Sequence, residues 1–203
     1  MINLERDIST IHVGIDIGST TTKFVVLDPV THDVLEREYR RHGARQVHSA
    51  SRVLGLLADR YPNAYARIAL CGSGAAEIAS ALDVTFVQEV VANSIAVRML
   101  HPQVRCAIEL GGQDAKMVFF RYDDAQHKLD VADMRMNGSC AGGTGAFIDE
   151  IASVLEVPVE QFDALAAQGQ SVYDISGRCG VYAKTDIQPL LNQGVPRADL
   201  ALS

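Results

Sequence analysis

Apolar and β-branched residues form short runs separated by glycine, serine and threonine near the start of the chain. Residues 11–17 and 23–27 predict two strands, because Gly18-Ser19-Thr20-Thr21-Thr22 between them is typical of a tight loop. A third strand is predicted over residues 34–40. Apolar residues at helical spacing predict a helix over residues 46–61, which Pro62 ends. A buried strand and two helices are predicted next, at residues 67–71, 75–82 and 89–100.

The same order of elements begins again after His101-Pro102. Strands are predicted over residues 104–110 and 115–122, with the loop Gly111-Gly112-Gln113 between them, and a third strand near residues 128–135. Two halves that open in the same way indicate an internal duplication. The sequence therefore predicts an α/β protein with two lobes, residues 1–100 and 101–203.

The rest of the second lobe is predicted to be helical. A glycine-rich loop over residues 137–145 leads into a helix for which Thr144 is the candidate N-cap. Further helices are predicted over residues 161–167 and 181–191, with a kink at Pro189, and Asp199 is a candidate cap for a last helix. Because this lobe lacks the closing strands of the first, we expect it to be incomplete at its C-terminal side.

Composition and charge are those of a globular protein with a hydrophobic core. Of the 203 residues, 48% are hydrophobic and 21% are charged. The 18 Lys and Arg residues against 25 Asp and Glu residues give a net charge of −7, which opposes binding to a nucleic-acid backbone. No apolar run approaches the roughly 18 residues of a membrane span, and the first residues lack a secretory pattern. We therefore expect a cytoplasmic protein without nucleic-acid or membrane partners.

The first interstrand loop carries groups suited to phosphate. Its glycine, serine and threonine residues (Gly18, Ser19, Thr20 and Thr21) offer successive backbone N–H groups and hydroxyls, which together can cradle phosphate oxygens. Asp16 precedes the loop and is a candidate magnesium ligand, because a hard cation prefers carboxylate oxygen. Lys23 adds a positive charge nearby.

The second interstrand loop repeats this arrangement. It has an acid before two glycines and an amide and a second acid after them (Glu109, Gly111, Gly112, Gln113 and Asp114). Two such hairpins facing one another would grip the ends of a triphosphate and its metal. Each loop alone is equally compatible with an ordinary polar β-turn.

The four cysteines fall into two classes. Cys71 and Cys106 lie in apolar runs, which predicts buried and unreactive thiols. Cys140 and Cys179 lie beside glycines, a setting in which thiolates bind metals. No Cys-x-x-Cys pair is present, so a metal site would have to be assembled across the fold. The six histidines have no ligand spacing and are expected to be surface residues without a catalytic role.

Four ordered segments resemble the BadF/BadG/BcrA/BcrD ATPase family, which includes the activases of 2-hydroxyacyl-CoA dehydratases. They are residues 14–23, 109–116, 137–145 and 176–186. The motifs Glu-Leu-Gly-Gly and Met-Asn-Gly-Ser-Cys-Ala-Gly-Gly look more like the activase domains of large fused proteins, since small activases have aspartate where this chain has Glu109. The resemblance implies the actin, Hsp70 and sugar-kinase fold, with two ribonuclease H-like lobes built on mixed sheets.

The resemblance also implies ATP hydrolysis with Mg²⁺. Asp16 and Glu109 would position the metal, and Gln113 or Asp114 would orient the attacking water. The nucleotide would be held by both interstrand loops, by Lys23 and by the glycine-rich segment of Gly143, Thr144 and Gly145. The family's adenosine-binding glycine segment, expected after the helix near Asp199, does not occur in this sequence, so we expect weak nucleotide affinity.

A redox function follows from the same resemblance. Family members are homodimers that share one 4Fe-4S cluster, and Cys140 and Cys179 match the two cysteines that each chain donates. Such a protein passes one low-potential electron to an acyl-CoA dehydratase or a related iron–sulfur reductase, with reduced ferredoxin or flavodoxin as the donor. Three alternatives stay open: a four-cysteine zinc site, a sugar or carboxylate kinase of the same fold, and a non-catalytic scaffold.

Overall fold

The computed structural model describes residues 9–123, 128–137, 144–177 and 179–203. The chain divides into two compact units. The first extends to Val104 and also takes in the end of one strand and the start of the next, around Tyr122 and Asp130. The second contains Arg105–Arg121 and the residues from Val131 onward. The lobe boundary expected at residue 100 stays a prediction.

The first unit is built on a five-stranded mixed sheet. Its strands are β1 (Thr10–Ile17), β2 (Thr21–Leu27), β3 (Val34–Arg41), β4 (Tyr65–Cys71) and β5 (Thr85–Phe86), in the order β3-β2-β1-β4-β5. Strand β1 pairs antiparallel with β2 and parallel with β4. Alternate residues of β1 are buried, because one face of a pleated strand points into the core. These are Ile11, Val13, Ile15 and Ile17.

Three helices belong to this unit: α1 (Gln46–Arg60), α2 (Ala76–Leu82) and α3 (Glu89–Leu100). Helix α1 buries Ala50, Val53 and Leu57, which are three and four residues apart and so lie on one face. These side chains join the buried residues of β1 in one hydrophobic core. The core fixes the carboxyl end of β1, where Asp16 lies.

The second unit contains most of a three-stranded sheet and four helices. The strands are β6 (Cys106–Leu110), β7 (Ala115–Asp123) and β8 (Lys128–Met136), in that order across the sheet. The helices are α4 (Gly145–Val154), α5 (Phe162–Ala166), α6 (Gly180–Asn192) and α7 (Arg197–Leu202), with a 3₁₀ turn over Val159–Gln161. Ile151, Leu155, Ile187 and Leu200 form a core among the helices. No described helix has the length and apolar character needed to cross a membrane.

One local expectation is wrong, and one short strand was missed. Asp199 does not cap α7: the N-cap position is Pro196, and the buried carboxylate of Asp199 instead accepts hydrogen bonds from the backbone N–H groups of Gln170 and Ser171. The short strand β5 was not expected from the sequence, because its two residues are too few to show a period. Helix α6 continues through Pro189 to Asn192, and the kink expected at Pro189 stays a prediction.

Cys106 is exposed, which corrects the expectation of a buried thiol, and Cys71 is only half-buried. Residues two apart on a strand share a face, so Cys106 lies with Ile108 and Leu110 on one face of β6. Ile108 and Leu110 are 65% and 63% exposed. This apolar face of β6 is therefore not covered by any described part of the chain.

Candidate functional site

Asp16 and Lys23 are direct partners across the hairpin of β1 and β2. The ammonium Nζ of Lys23 lies 2.7 Å from Oδ2 of Asp16, which makes a partly buried ion pair. Burial alone lowers the pKa of Lys23, but the hydrogen bond and charge of Asp16, with smaller contributions from Tyr39 and Glu89, outweigh it, so the pKa is raised. Lys23 is therefore a stable positive charge beside the loop.

The loop between these strands is a tight turn. The N–H of Gly18 donates to the carbonyl oxygen of Thr21 at 2.9 Å. A Cβ at Gly18 would lie 3.8 Å from Nζ of Lys23, so the lysine head group is close to the turn. Ser19 and Thr20 are partly accessible, whereas Thr21 is buried. The accessible hydroxyl side chains of the loop are thus those of Ser19 and Thr20.

The second carboxylate oxygen of Asp16 has a different environment. Oδ1 is buried and accepts no hydrogen bond from any described residue. It faces Gly72, which has φ +98°, and a Cβ at that position would approach Oδ1 to 2.4 Å. A buried carboxylate oxygen without a partner is costly, and a cation with its water shell relieves that cost. Asp16 thus fits the expected role as a magnesium ligand. Sequence patterns gave Gly72 only as a turn residue.

The second hairpin repeats the first at a constant spacing of 93 residues along the chain. Glu109 and Lys116 are direct partners across β6 and β7, as Asp16 and Lys23 are across β1 and β2. The N–H of Gly111 donates to the carbonyl oxygen of Asp114 at 2.8 Å, which matches the hydrogen bond within the first turn. The two hairpins thus match at the level of single hydrogen bonds, as the expected internal duplication predicts for this part of each lobe.

Lys116 is the residue of this hairpin that sequence reasoning did not single out. It is only 6% exposed. Its Nζ lies 3.8 Å from a carboxylate oxygen of Glu109 and 3.4 Å from one of Asp114. A buried lysine needs such partners, because an unpaired charge is strongly disfavoured away from water. Gln113 is exposed next to this cluster in sequence.

The N-terminus of α4 is joined to the glycine pair of the second loop. The N–H of Gly145 donates to the carbonyl of Gly111 at 2.9 Å, and the N–H of Ala146 donates to the carbonyl of Gly112 at 2.8 Å. A Cβ at Gly145 would lie 3.3 Å from the carbonyl oxygen of Gly111, so glycine permits this close approach. Thr144 is fully buried and occupies the N-cap position, as expected.

Of the two expected cluster ligands, the structure describes one. Cys179 is half-buried at the N-cap position of α6, where the helix dipole favours a thiolate. It borders a cavity of about 250 Å³ that Phe147, Ile175 and Ile187 help to line. Cys140 and Gly143 lie outside the described residues. Within the part of the chain that is described, no group of three or more His, Cys, Asp and Glu residues is placed to hold a metal.

His42 corrects the expectation that all histidines are surface residues. It is 5% exposed, and its Nε2 lies 3.0 Å from the carbonyl oxygen of Gly18. Its burial comes from the return of β3 beside the first loop, a long-range contact that residue spacing does not show. His42 therefore contacts the loop of an expected site, to which Gly18 and Asp16 both belong.

Comparison with known proteins places these features in a family. The sequence matches the BadF/BadG/BcrA/BcrD ATPase family over residues 13–201. The chain belongs to this family. As a BadF/BadG/BcrA/BcrD ATPase it is an ATP-hydrolysing enzyme, and it is similar to the activator of lactoyl-CoA dehydratase from Anaerotignum propionicum, with 31% identity over 93% of this chain and 70% of the relative.

Solved structures agree on the fold of this family member. The activator of the 2-hydroxyisocaproyl-CoA dehydratase from Clostridium difficile, solved with bound ADPNP, superposes with a TM-score of 0.75 at 27% identity, over 95% of this chain and 69% of that chain. Component A of the (R)-2-hydroxyglutaryl-CoA dehydratase from Acidaminococcus fermentans gives a TM-score of 0.80 at 23% identity, over 95% and 72%. The ATPase therefore has the expected actin, Hsp70 and sugar-kinase-like fold.

Proposed function

We propose that the hairpins of this ATPase bind the phosphate groups of MgATP. The observation that carries the proposal is the repeated pairing of an acid with a lysine, Asp16 with Lys23 and Glu109 with Lys116, beside a glycine turn. A repeated acid, lysine and glycine turn offers carboxylate for a cation and ammonium and backbone N–H groups for phosphate oxygens. An ordinary polar β-turn does not require an acid and a lysine to be direct partners across its two strands.

The residues divide the work by their chemistry. Ser19, Thr20 and Lys23 bind phosphate oxygens, and Gly111 and Gly112 allow the backbone of the second loop to approach them. Further nucleotide contacts are assigned to Gly18, Thr21, Gly143, Thr144 and Gly145. Asp16 and Glu109 hold Mg²⁺, which neutralises phosphate charge when bound.

Hydrolysis needs a water aimed at the terminal phosphorus. Gln113 or Asp114 orients this water, which attacks the γ-phosphorus while the bond from that phosphorus to the bridging oxygen breaks, and ADP and phosphate are formed. Positioning and charge stabilisation account for most of such catalysis. Gln113→Ala and Asp114→Ala distinguish the two candidates, because the variant that loses the water-orienting group loses kcat while its KM for MgATP is retained.

We further propose that the protein is a homodimer with one 4Fe-4S cluster, to which each chain gives Cys140 and Cys179. Two thiolates from each of two chains make the four ligands that such a cluster takes. The position of Cys179 at the start of a 13-residue helix supports the proposal, because the helix dipole lowers the cost of a thiolate. The cluster supplies one-electron chemistry when bound.

Iron and sulfide analysis tests the cluster independently of ATP. Anaerobically reconstituted protein should hold about two irons and two sulfides per chain, and Cys140→Ser and Cys179→Ser should each abolish them. Cys106→Ser is the matched control, since Cys106 is an exposed thiol on a strand. Equal iron in the Cys179→Ser variant and the wild type would exclude this ligand set, and one zinc per dimer would establish the zinc alternative.

The partner is proposed to be an acyl-CoA dehydratase or a related iron–sulfur reductase. Relatives are named as activators of lactoyl-CoA and 2-hydroxyisocaproyl-CoA dehydratases, which supports this class of electron acceptor. Reduced ferredoxin or flavodoxin is the proposed donor. The test mixes reduced protein with such a dehydratase and measures electron transfer with and without ATP. Transfer that ignores ATP, or ATP-dependent phosphorylation of a sugar or carboxylate instead, would contradict the activator role.

A further inference from the structure

His42 contacts the first loop at two points and the start of α1 at a third. Its backbone N–H donates to the carbonyl oxygen of Thr20 at 3.2 Å, and its own carbonyl accepts the N–H of Arg45 at 3.1 Å. Its ring Nε2 lies 3.0 Å from the carbonyl oxygen of Gly18. Gly18 is 24 residues away in sequence, so the ring ties the end of β3 to the turn between β1 and β2.

The chemistry of the ring contact is fixed by its partner. A carbonyl oxygen only accepts hydrogen bonds, so Nε2 must carry the hydrogen. The other ring nitrogen, Nδ1, is buried and has no hydrogen-bond partner among the described residues. The only polar contact of the ring within the described chain is therefore its donation to Gly18.

The backbone turn after His42 holds the residue in position. Gly43 and Ala44 have φ of +54° and +60°, so two successive residues adopt the left-handed conformation before α1 begins. This conformation is unfavourable for alanine and persists only where surrounding contacts impose it. The turn and the hydrogen bond from Arg45 thus fix His42 at the end of β3.

The contact determines which way the loop presents its N–H groups. In a planar trans peptide the carbonyl of one residue and the N–H of the next point in opposite directions. With the carbonyl of Gly18 held on the ring, the N–H of Ser19 points away from His42. Ser19 and Thr20 are partly accessible whereas His42 is buried, so a ligand would reach the loop from the side away from His42.

We propose that His42 is a positioning residue that holds the first loop in its phosphate-binding conformation through the hydrogen bond from Nε2 to Gly18. The inference rests on the proposed phosphate-binding role of that loop. It assigns a task to a side chain that itself touches no nucleotide. The ring acts through Gly18 and Ser19. What the loop requires from His42 is the N–H donor at Nε2, and the size of the ring is not important.

Two substitutions separate the donor from the volume. Glutamine keeps an N–H donor of similar reach, and phenylalanine keeps a ring without a donor. We expect His42→Phe to weaken MgATP binding about tenfold, and His42→Gln to stay within about threefold of the wild type. His48→Phe is the matched control, because His48 is exposed on α1. Binding is measured by calorimetry on the full chain, with Mg-tripolyphosphate as a second probe that lacks the base and ribose.

The outcomes separate this inference from the proposed function. If the wild type binds neither MgATP nor Mg-tripolyphosphate, the proposed phosphate site itself is wrong. If the wild type binds and Asp16→Asn weakens binding, but His42→Phe binds like the wild type, only the role of His42 is wrong. A His42→Phe variant that binds better than His42→Gln would show that ring volume matters and would also overturn the inference.

A measurement on the wild type covers the case in which a variant fails to fold. Nitrogen-15 spectra of the imidazole rings should show a hydrogen atom bonded to Nε2 of His42. Addition of MgATP should shift the Nε2 resonance of His42 and leave that of His48 unchanged. Protonation at Nδ1 instead, or a His42 signal that does not respond to bound MgATP, contradicts the proposal.

Discussion

Nζ of Lys23 lies 2.7 Å from Oδ2 of Asp16, and the two residues face each other directly across β1 and β2. The pair leaves the second oxygen of Asp16 buried against Gly72 and places the lysine head group beside the turn at Gly18. Each member therefore holds the other in place next to the loop that we propose binds phosphate. An arriving anion would meet Lys23, and an arriving cation would meet Asp16.

Replacement of Asp16 by asparagine tests the acid of this pair. Asparagine keeps the size of the side chain and removes its charge, so we expect ATP hydrolysis to fall about a hundredfold or more. Steady-state phosphate release gives the rate, and a thermal unfolding curve shows whether the variant is folded. Asp59→Asn on the exposed surface of α1 is the control. A folded Asp16→Asn protein with wild-type turnover would remove Asp16 from the mechanism.

Alkaline pH tests the pair through stability. The pKa of Lys23 is raised above its ordinary value of 10.5, because the interactions with Asp16 outweigh the opposing effect of burial. A group whose pKa is raised on folding stabilises the protein fully below its unfolded pKa and loses this contribution as pH rises through the folded value. We therefore expect the stability gap between the wild type and Lys23→Met to narrow above about pH 10.5. Denaturant titrations at several pH values measure it, and a constant gap would contradict the assignment.

Local sequence pattern was sufficient for the strands and turns of both hairpins. Alternating burial in β1 follows from alternating apolar residues, and the glycine turns follow from residues that tolerate tight backbones. Asp16 and Glu109 were identified as equivalent because each ends an apolar run before a glycine. The structure confirms this equivalence by matched register and matched turn hydrogen bonds.

Residues whose roles depend on distant partners could not be found in this way. Gly72 is required by Asp16, which lies in a different strand, and His42 is buried by a loop 24 residues earlier. Lys116 is buried although lysine is ordinarily exposed, because two carboxylates surround it. For Cys106 the error was the reverse: the residue was expected to be buried and is exposed. An apolar run predicts a strand but does not show which face of the strand is covered.

Replacement of Gly72 by alanine should damage both stability and activity. The new Cβ would lie 2.4 Å from Oδ1 of Asp16 and 2.4 Å from the carbonyl oxygen of Ile17, at a backbone φ of +98°. We expect a loss of about 3 kcal/mol in the free energy of unfolding, since backbone strain and overpacking add. Chemical denaturation measures the loss, and ATP hydrolysis should fall with the displaced carboxylate.

Gly194→Ala separates these two causes. Gly194 has φ +82° but nothing within 4 Å of its built Cβ, so this variant carries the backbone strain without the clash. We expect it to lose about 1 kcal/mol and to retain ATP hydrolysis. Equal losses in the free energy of unfolding of the two variants would mean that the methyl group added at position 72 does not crowd Asp16.

Replacement of Lys116 by methionine tests the buried charge of the second hairpin. Methionine keeps the apolar stem but leaves Glu109 and Asp114 facing each other without the ammonium group, so we expect a loss of about 2 kcal/mol in the free energy of unfolding. In a Glu109→Gln background the same change should cost less by about 0.5–1 kcal/mol, because one of the two carboxylates that contact the ammonium group has already been made neutral. Lys184→Met is the control: its pair with Glu150 is solvent-exposed, and its loss should stay within about 0.5 kcal/mol. Additive costs for Lys116 and Glu109 would show that the two side chains are not coupled, and the likeness between the hairpins would then be one of backbone alone.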